Sequence, residues 1–408
     1  MNKLYNLQNL SKLVKTLKLR GKKIVFTVGA YDLIHCDHAR YLLEARTQGD
    51  ILIVGLESNR SRGEEKGSGH PLIDQKTRAE MLSYFSFVDY IIIVHKKKIL
   101  PALKSLKPDV FYTTEENWHS IIWHGEAMFL EKSHIKVVKV PRSSPYVATS
   151  TLVKNVADLK IKEVMEYFFG KIKIDLTVGD FSFKESAGQK SSVSGDILKF
   201  FAMPPRSLMG LFFVGQLVPL EKLGDIGQRL RGQGKKIVFT AGSYDLLHVG
   251  HARFLTKAKS LGDVLVVGIP SNSQVTKAKG RGRPIVDQIS RAQLLCHLGC
   301  VDFVAVFDNS TVLEALKSLK PDIFYTVKEE WNEGFRESAE YKFVKSYGGQ
   351  VVRVSRQSPY LSASAIIDRA AGMRVREVFK KLLQTVQKSS ALKEKVWQEP
   401  KGEEVEWN

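Results

Sequence analysis

At 408 residues the chain exceeds what one hydrophobic core usually organises, so two or three domains are expected. Its 62 Lys and Arg against 43 Asp and Glu leave a net charge of +19, which points to anionic partners such as nucleotides, nucleic acid or anionic lipid without choosing among them. With 43% hydrophobic and 26% charged residues the composition excludes disordered, collagen-like and membrane-embedded classes. Cys36, Cys296 and Cys300 fit neither a disulfide framework nor a zinc spacing, so a cytoplasmic setting is expected.

The amino terminus is basic, its first acidic residue being Asp32. Leu7, Leu10, Val14 and Leu17 recur at helical spacing, which predicts an amphipathic helix rather than a transit peptide or a membrane-surface segment. From Lys22 the segment KKIVFTVGAYDLIHCDHARYLLEARTQGDILIVGLESN is matched by KKIVFTAGSYDLLHVGHARFLTKAKSLGDVLVVGIPSN from Lys235. The offset of 213 holds through Arg78/Arg291 and Trp118/Trp331 and becomes 214 at the SPY tripeptides. The chain therefore reads as two copies of one domain, residues 1–169 and 220–385. Residues 170–219 have no counterpart and read as a connector with room for a hairpin, since Lys171 to Val178 alternates like a half-buried strand before a Ser/Gly-rich loop. The apolar run Leu208 to Val218 is about half the roughly 20 residues a membrane helix needs. Residues 386–408 read as a charged, solvated tail.

Within the second copy strands and helices alternate. Strands are predicted at Ile237 to Thr240, Val264 to Val267, Phe303 to Val306, Ile323 to Tyr325 and Val351 to Val354. Helices are predicted at Val249 to Leu261, from Gln288, at Thr311 to Leu319, at Phe335 to Tyr347 and from Ser362. Continuous apolar strands separated by helices mean a parallel sheet covered on both faces. The fold class is therefore α/β, with two tandem doubly wound, Rossmann-like domains.

In such a sheet ligands bind outside the carboxyl ends of the strands, where helix N-termini point. The loop there, Ala241 to His251, reads A-G-S-Y-D-L-L-H-V-G-H. Gly242 is expected to let the backbone turn beside a ligand, and Gly250, lacking a Cβ, to let a ligand lie against the helix. His248 and His251 project from one face at the positive end of that helix, and both recur in the first copy as His35 and His38. Zinc is disfavoured because no third Cys or His stands at a suitable spacing, and no metal-ligating residue is assigned. A dehydrogenase is excluded because the turn lacks G-x-G-x-x-G.

The segment YDLLHVGH, Tyr244 to His251, is similar to the FDxxHxGH signature of the cytidylyltransferase-like nucleotidyltransferase family, relatives of class I aminoacyl-tRNA synthetases. The second copy also resembles the adenylyltransferase domain of bacterial heptose-phosphate enzymes, through LGDVLVVGIPSN, the KGRGRPI stretch from Lys279 and Arg291 of DQISRAQLL. The tandem arrangement is similar to that of ethanolamine-phosphate cytidylyltransferase. The resemblance implies that a nucleoside triphosphate is joined to a phosphorylated small molecule with Mg2+ as cofactor and release of pyrophosphate. An acceptor phosphate oxygen attacks the α-phosphorus in line, so the site has to hold two polyanions together and needs no nucleophilic side chain. On that resemblance His248 and His251 donate to phosphate, Lys279 binds the phosphate chain, and Asp245 and Arg291 organise the site with Mg2+. Thr240, Ala241, Gly242, Tyr244 and Gly250 border the nucleotide, and Ser362 and Ser364 cap the last helix against the β- and γ-phosphates.

The first copy departs from this pattern. Asp37 stands where the motif has glycine, His70 replaces Arg283, and Val147-Ala148-Thr149-Ser150 loses the first hydroxyl, while Asp32, His35, His38, Lys66, Arg78, Thr149 and Ser150 remain as a degenerate site. A carboxylate beside the expected phosphates is disfavoured by like charge, so catalysis is expected mainly in the second copy, with the first a scaffold or regulatory half. Trp118 and Trp331 are expected to serve packing rather than stacking on a base or sugar.

The leading expectation is transfer of CMP or AMP from CTP or ATP to a sugar phosphate or a phospho-alcohol such as phosphoethanolamine. No nucleic-acid partner or membrane span is expected, and the two repeats are expected to pack as a pseudo-dimer. Two other readings stay open: a non-catalytic, nucleotide-binding regulatory protein, and an RNA-binding, synthetase-like protein. The second accords with the charge but lacks a K-M-S-K-S-like loop and an aromatic RNP-type strand.

Overall fold

The computed structural model describes residues 3–67, 69–122, 124–141, 215–280, 282–308, 311–330, 333–358 and 362–372. Thr149, Ser150, Trp331, the hairpin expected after Lys171 and the charged tail lie outside the described residues. Each copy builds one six-stranded sheet in which every pairing is parallel. The first contains β1 (Leu4–Tyr5), β2 (Ile24–Gly29), β3 (Ile51–Glu57), β4 (Tyr90–Val94), β5 (Val110–Thr114) and β6 (Lys136–Val140). The second contains β7 (Gln216–Val218), β8 (Ile237–Ala241), β9 (Val264–Pro270), β10 (Phe303–Phe307), β11 (Ile323–Val327) and β12 (Gln350–Val354). The spatial orders, β1-β4-β3-β2-β5-β6 and β7-β10-β9-β8-β11-β12, are the same order.

The central strands are Val/Ile/Phe runs with nearly every residue buried, because helices cover both faces. On one face of the second sheet, Leu223 and Leu230 of the leading helix Leu223–Gly232 pack with Leu316 of helix Val312–Leu319 on Phe239 and Phe324. The strand order switches direction between β8 and β11, parallel neighbours that pair only at Val238↔Ile323 and Phe239↔Phe324 and then diverge, leaving a crevice at their carboxyl ends.

Three details differ from the expectations above. The edge strand Gln216–Val218 lies before Leu220, inside the stretch read as connector, and joins the second sheet as Leu4–Tyr5 joins the first. The helix expected from Phe335 to Tyr347 is a 3-10 turn at Glu333–Glu337 and then an α-helix at Ala339–Ser346, restarted by Ser338, whose side chain accepts the N–H of Tyr341. A helix not foreseen, Asn272–Lys279, begins where Ser271 caps it and carries Lys279 to its last turn.

The copies touch through corresponding elements. Helix Cys36–Arg46 packs on Gln288–Cys296, and helix Gln75–Ser83 packs on Val249–Lys259. Glu80 accepts both Nε and Nη2 of Arg253 at 2.6 Å, while in the corresponding place Arg40 donates to the Gln293 side chain at 3.2 Å. One apolar core runs through both copies, from Leu42 and Leu82 to Leu255 and Leu295. Among the described residues no helix is long and apolar enough to cross a membrane.

Candidate active site

At the crevice the second copy opens a cleft with about 910 Å³ of empty space, its solvent-open mouth included, walled by the loop after β8, the end of β11, the segment after β12 and the start of the helix that follows Ser362. His248 is the N-cap residue of helix Val249–Lys259, so His251 follows on its first turn and the two rings stack with centroids 3.9 Å apart. Tyr244 meets the His251 ring edge-on at 5.1 Å. The Nδ1 atoms of both histidines are buried without a hydrogen-bond partner among the described residues, a situation rare unless a ligand or water completes it. Burial first, and the charge of Arg356 second, push the His248 imidazole down to about 4. His251 is likewise held well below its ordinary value, by burial and then by His248, Lys279 and Arg356. Both rings are therefore neutral near pH 7, and each presents one N–H donor.

The rest of the wall is cationic. Lys279, Arg283 and Arg356 line it, and Lys279 Nζ donates to Ser243 Oγ at 2.7 Å. The sole carboxylate among the described lining residues is Asp245: its Oδ1 accepts the N–H groups of Ile285 and Val286, and its buried Oδ2 lies 2.8 Å from Arg283 Nε as an ion pair without a formed hydrogen bond. Ser362 caps the last helix by accepting the N–H of Ala365, and Ser364 also faces the cleft. The same chemistry bears on Mg2+. Among the described residues no group of three His, Cys, Asp or Glu side chains could hold a metal ion. Asp245 is thus the single carboxylate that the described lining offers a metal ion, and the charge of Arg283 already faces it.

Of the residues singled out from sequence, Ala241, Gly242, Tyr244, Asp245, His248, Gly250, His251, Lys279, Ser362 and Ser364 come together in the cleft. Thr240 and Arg291 do not. Thr240 is buried in the sheet, and its hydroxyl has no partner among the described residues, Phe254 standing where Tyr41 places its phenol 2.7 Å from the corresponding Thr27. Arg291 is a buried strut: it donates to the carbonyls of Val286, Ser243 and Pro270 and to the Asn272 side chain, so it shapes the loop and does not line the cleft. Gly250 also differs from its expected role. A Cβ there would lie 2.8 Å from the Cβ of Ser358 and 3.0 Å from the His248 ring, so the missing side chain makes room for the protein itself. The left-handed residue of the loop is Tyr244, at φ 45°, with Gly242 leaving space for its ring. Arg356, Gln357 and Ser358 were missed, although VPRSSPY and VSRQSPY of the two copies share both the arginine and the SPY tripeptide.

The first copy keeps the frame of the site. Asp32 accepts the N–H groups of Leu72 and Ile73, Arg78 spans Ile73, Ala30 and Asn59, and the rings of His35 and His38 lie 3.9 Å apart. Asp37 is buried beside them, 3.8 Å from His35 Nδ1, and burial pushes its carboxyl upward against the pull of Arg40. Lys66 is exposed at the end of its helix. Trp118 packs on the core under the stem of Lys139, whose ammonium sits 3.8 Å from the ring centre.

A doubly wound sheet whose switch point holds paired histidines and a cationic wall defines a nucleotidyltransferase. The chain belongs to the cytidylyltransferase-like family, whose model matches residues 26–177 and 239–369, more than half its length. It is similar to the bifunctional protein HldE of Geobacter metallireducens, with 43% identity over 136 residues, 33% of this chain and 27% of that protein. It is also similar to HldE of Helicobacter pylori strain Shi470, with 40% identity over 157 residues, 38% of this chain and 31% of that protein. The matches thus span about a third or less of those relatives. A solved structure of the lipopolysaccharide core biosynthesis protein from Thermoplasma volcanium aligns at 29% identity and a TM-score of 0.27, over 30% of this chain and 98% of that one.

Proposed function

We propose that the second copy transfers CMP or AMP from CTP or ATP to a phosphorylated small molecule, with ATP and a sugar phosphate the pair to test first. The observation that carries this reading is the stacked pair His248 and His251, neutral and unpartnered at Nδ1, beside Lys279, Arg283 and Arg356. An acceptor phosphate oxygen forms a bond to the α-phosphorus while the bond to the bridging oxygen breaks, and that oxygen leaves with its electron pair as pyrophosphate. Lys279 and Arg356 draw in the triphosphate, and the two imidazoles donate N–H groups to phosphate oxygens whose charge grows in the transition state. Mg2+ enters with the nucleotide substrate, carried by its phosphate oxygens, since Asp245, the one carboxylate among the described lining residues, is already paired in charge with Arg283.

In this reading residues 1–169 and 216–385 are the two nucleotidyltransferase-like domains, paired as an intramolecular pseudo-dimer and joined by a connector that ends before strand Gln216–Val218, in a cytoplasmic protein. The first is catalytically silent, because Asp37 puts a carboxylate where phosphate would sit. The direct test is pyrophosphate exchange with ATP or CTP against a panel of phosphorylated acceptors. His248→Ala is expected to cut turnover by on the order of 10²–10³ with folding intact. Near-native turnover in that variant rules the mechanism out.

A further inference from the structure

The active site is held in place from outside its own domain. Arg253 lies on the helix that carries His248 and His251, facing the other copy, where both oxygens of Glu80 accept its guanidinium at 2.6 Å. The third arm of the same guanidinium turns back, and Nη1 donates to the carbonyl of Gln357 at 3.4 Å. Gln357 stands between Arg356 and Ser358, all three lining the cleft, and Ser358 is the residue against which Gly250 closes. A bidentate carboxylate fixes the guanidinium plane. The orientation of the Arg356 segment is thereby tied to a residue of the first copy.

At the corresponding contact of the opposite half the carboxylate is missing. Arg40 corresponds to Arg253, but its partner is the amide of Gln293, one charge short and singly bonded. A second link runs to the same cleft: Arg369, on the helix capped by Ser362, donates to the carbonyl of Leu72 in the first copy. Ile366 and Ala370 of that helix pack with Leu33, Leu72 and Ile73. Both links run from the first copy into the walls of the second copy's cleft.

We infer that Glu80 is a positioning residue for the second copy's site, acting through Arg253 to hold Arg356 where a triphosphate binds. This rests on the proposed nucleotidyltransferase reading only for its kinetic readout. The test uses the full-length chain in four forms: wild type, Glu80→Gln, Gln293→Glu, and the double variant that exchanges the two residues. The double variant moves the charged pair to the other half of the interface while preserving the number of charged pairs.

Amide hydrogen exchange at Arg356–Ser358 is expected to speed up in Glu80→Gln and in the double variant and to stay at the wild-type rate in Gln293→Glu. KM for the triphosphate is expected to rise on the order of 10-fold in the same two variants, with kcat changed far less. Wild-type exchange and KM in Glu80→Gln, or recovery of both in the double variant, overturns the inference, because the effect would then follow interface strength. If no triphosphate is turned over by wild type while exchange responds as expected, the catalytic reading fails and the positioning contact stands.

Discussion

Phe85 of the first copy and Leu298 of the second meet in an isolated antiparallel bridge, and the two stand 213 residues apart, the offset of the repeat itself. The same position of the same domain therefore meets itself, as it does on the axis of an isologous contact. Both side chains are fully buried. Each replacement by Ala is expected to cost about 3–5 kcal/mol, and the double replacement less than the sum because they share one cavity. Urea unfolding of the three variants measures the coupling; full additivity would mean that the bridge carries no direct contact.

Arg291 and Arg78 are expected to fail as stability residues before they fail as catalytic ones. Replacing Arg291 by Met strands the carbonyls of Val286, Ser243 and Pro270. The loss is expected to be about 3 kcal/mol of unfolding free energy. Arg78→Met is expected to do the same in the first copy, the half proposed to be catalytically silent. Denaturation midpoints check this; a folded Arg291→Met variant of normal stability and no turnover would return Arg291 to the chemistry.

Gly250 and Asp37 exchange roles in a testable way. Gly250→Ala places a methyl 2.8 Å from Ser358 and is expected to cost about 1–3 kcal/mol and to weaken triphosphate binding, as the Arg356 segment is pushed outward. In the first copy, Asp37→Gly with His70→Arg removes the buried carboxylate and restores the cation that Arg283 supplies in the second. Calorimetric titration with triphosphate is expected to pass from one site per chain toward two. An unchanged stoichiometry means that the first site is closed by more than charge.

Acid is expected to unfold the chain early. His248 is held down to about 4 by burial and then by Arg356, and His297 to about 4 by burial, although its Nδ1 lies 2.6 Å from the carbonyl of Gln293. Between pH 6.5 and 4 the unfolded chain binds protons that the folded one refuses. The stability is therefore fully present above pH 6.5 and is lost as pH falls toward 4, by about 3 kcal/mol for each such histidine. Urea midpoints at pH 7 and pH 4.5 measure the fall, and His297→Gln is expected to make it shallower; an equal fall in that variant removes His297 from the account.

The sheet was legible in the sequence because its strands are apolar runs of one composition and the repeat supplies each with a second copy. The two-residue and three-residue edge strands, Leu4–Tyr5 and Gln216–Val218, were not, since so short a segment has no period of its own and is defined by its neighbour. At the site, the loop from Ala241 to His251 could be read because it is contiguous. Arg356 could not, because it comes 105 residues after His251 and joins the site only where the carboxyl end of β12 lies beside that of β11. The strut role of Arg291 was not legible for a different reason: an arginine's identity says that it carries a charge, while only its surroundings say that carbonyls hold most of its donors.

Because Glu80 and Arg253 belong to one polypeptide, their encounter is a first-order event whose occupancy does not depend on how much protein is present. A pair of separate chains would lose the brace on dilution, whereas this molecule carries its brace at a fixed local concentration. Turnover per molecule should consequently stay level from micromolar to picomolar protein. Once the partner is guaranteed in this way, the first copy is free to drift at its own histidines, so a buried carboxylate such as Asp37 persists there at no cost to the second.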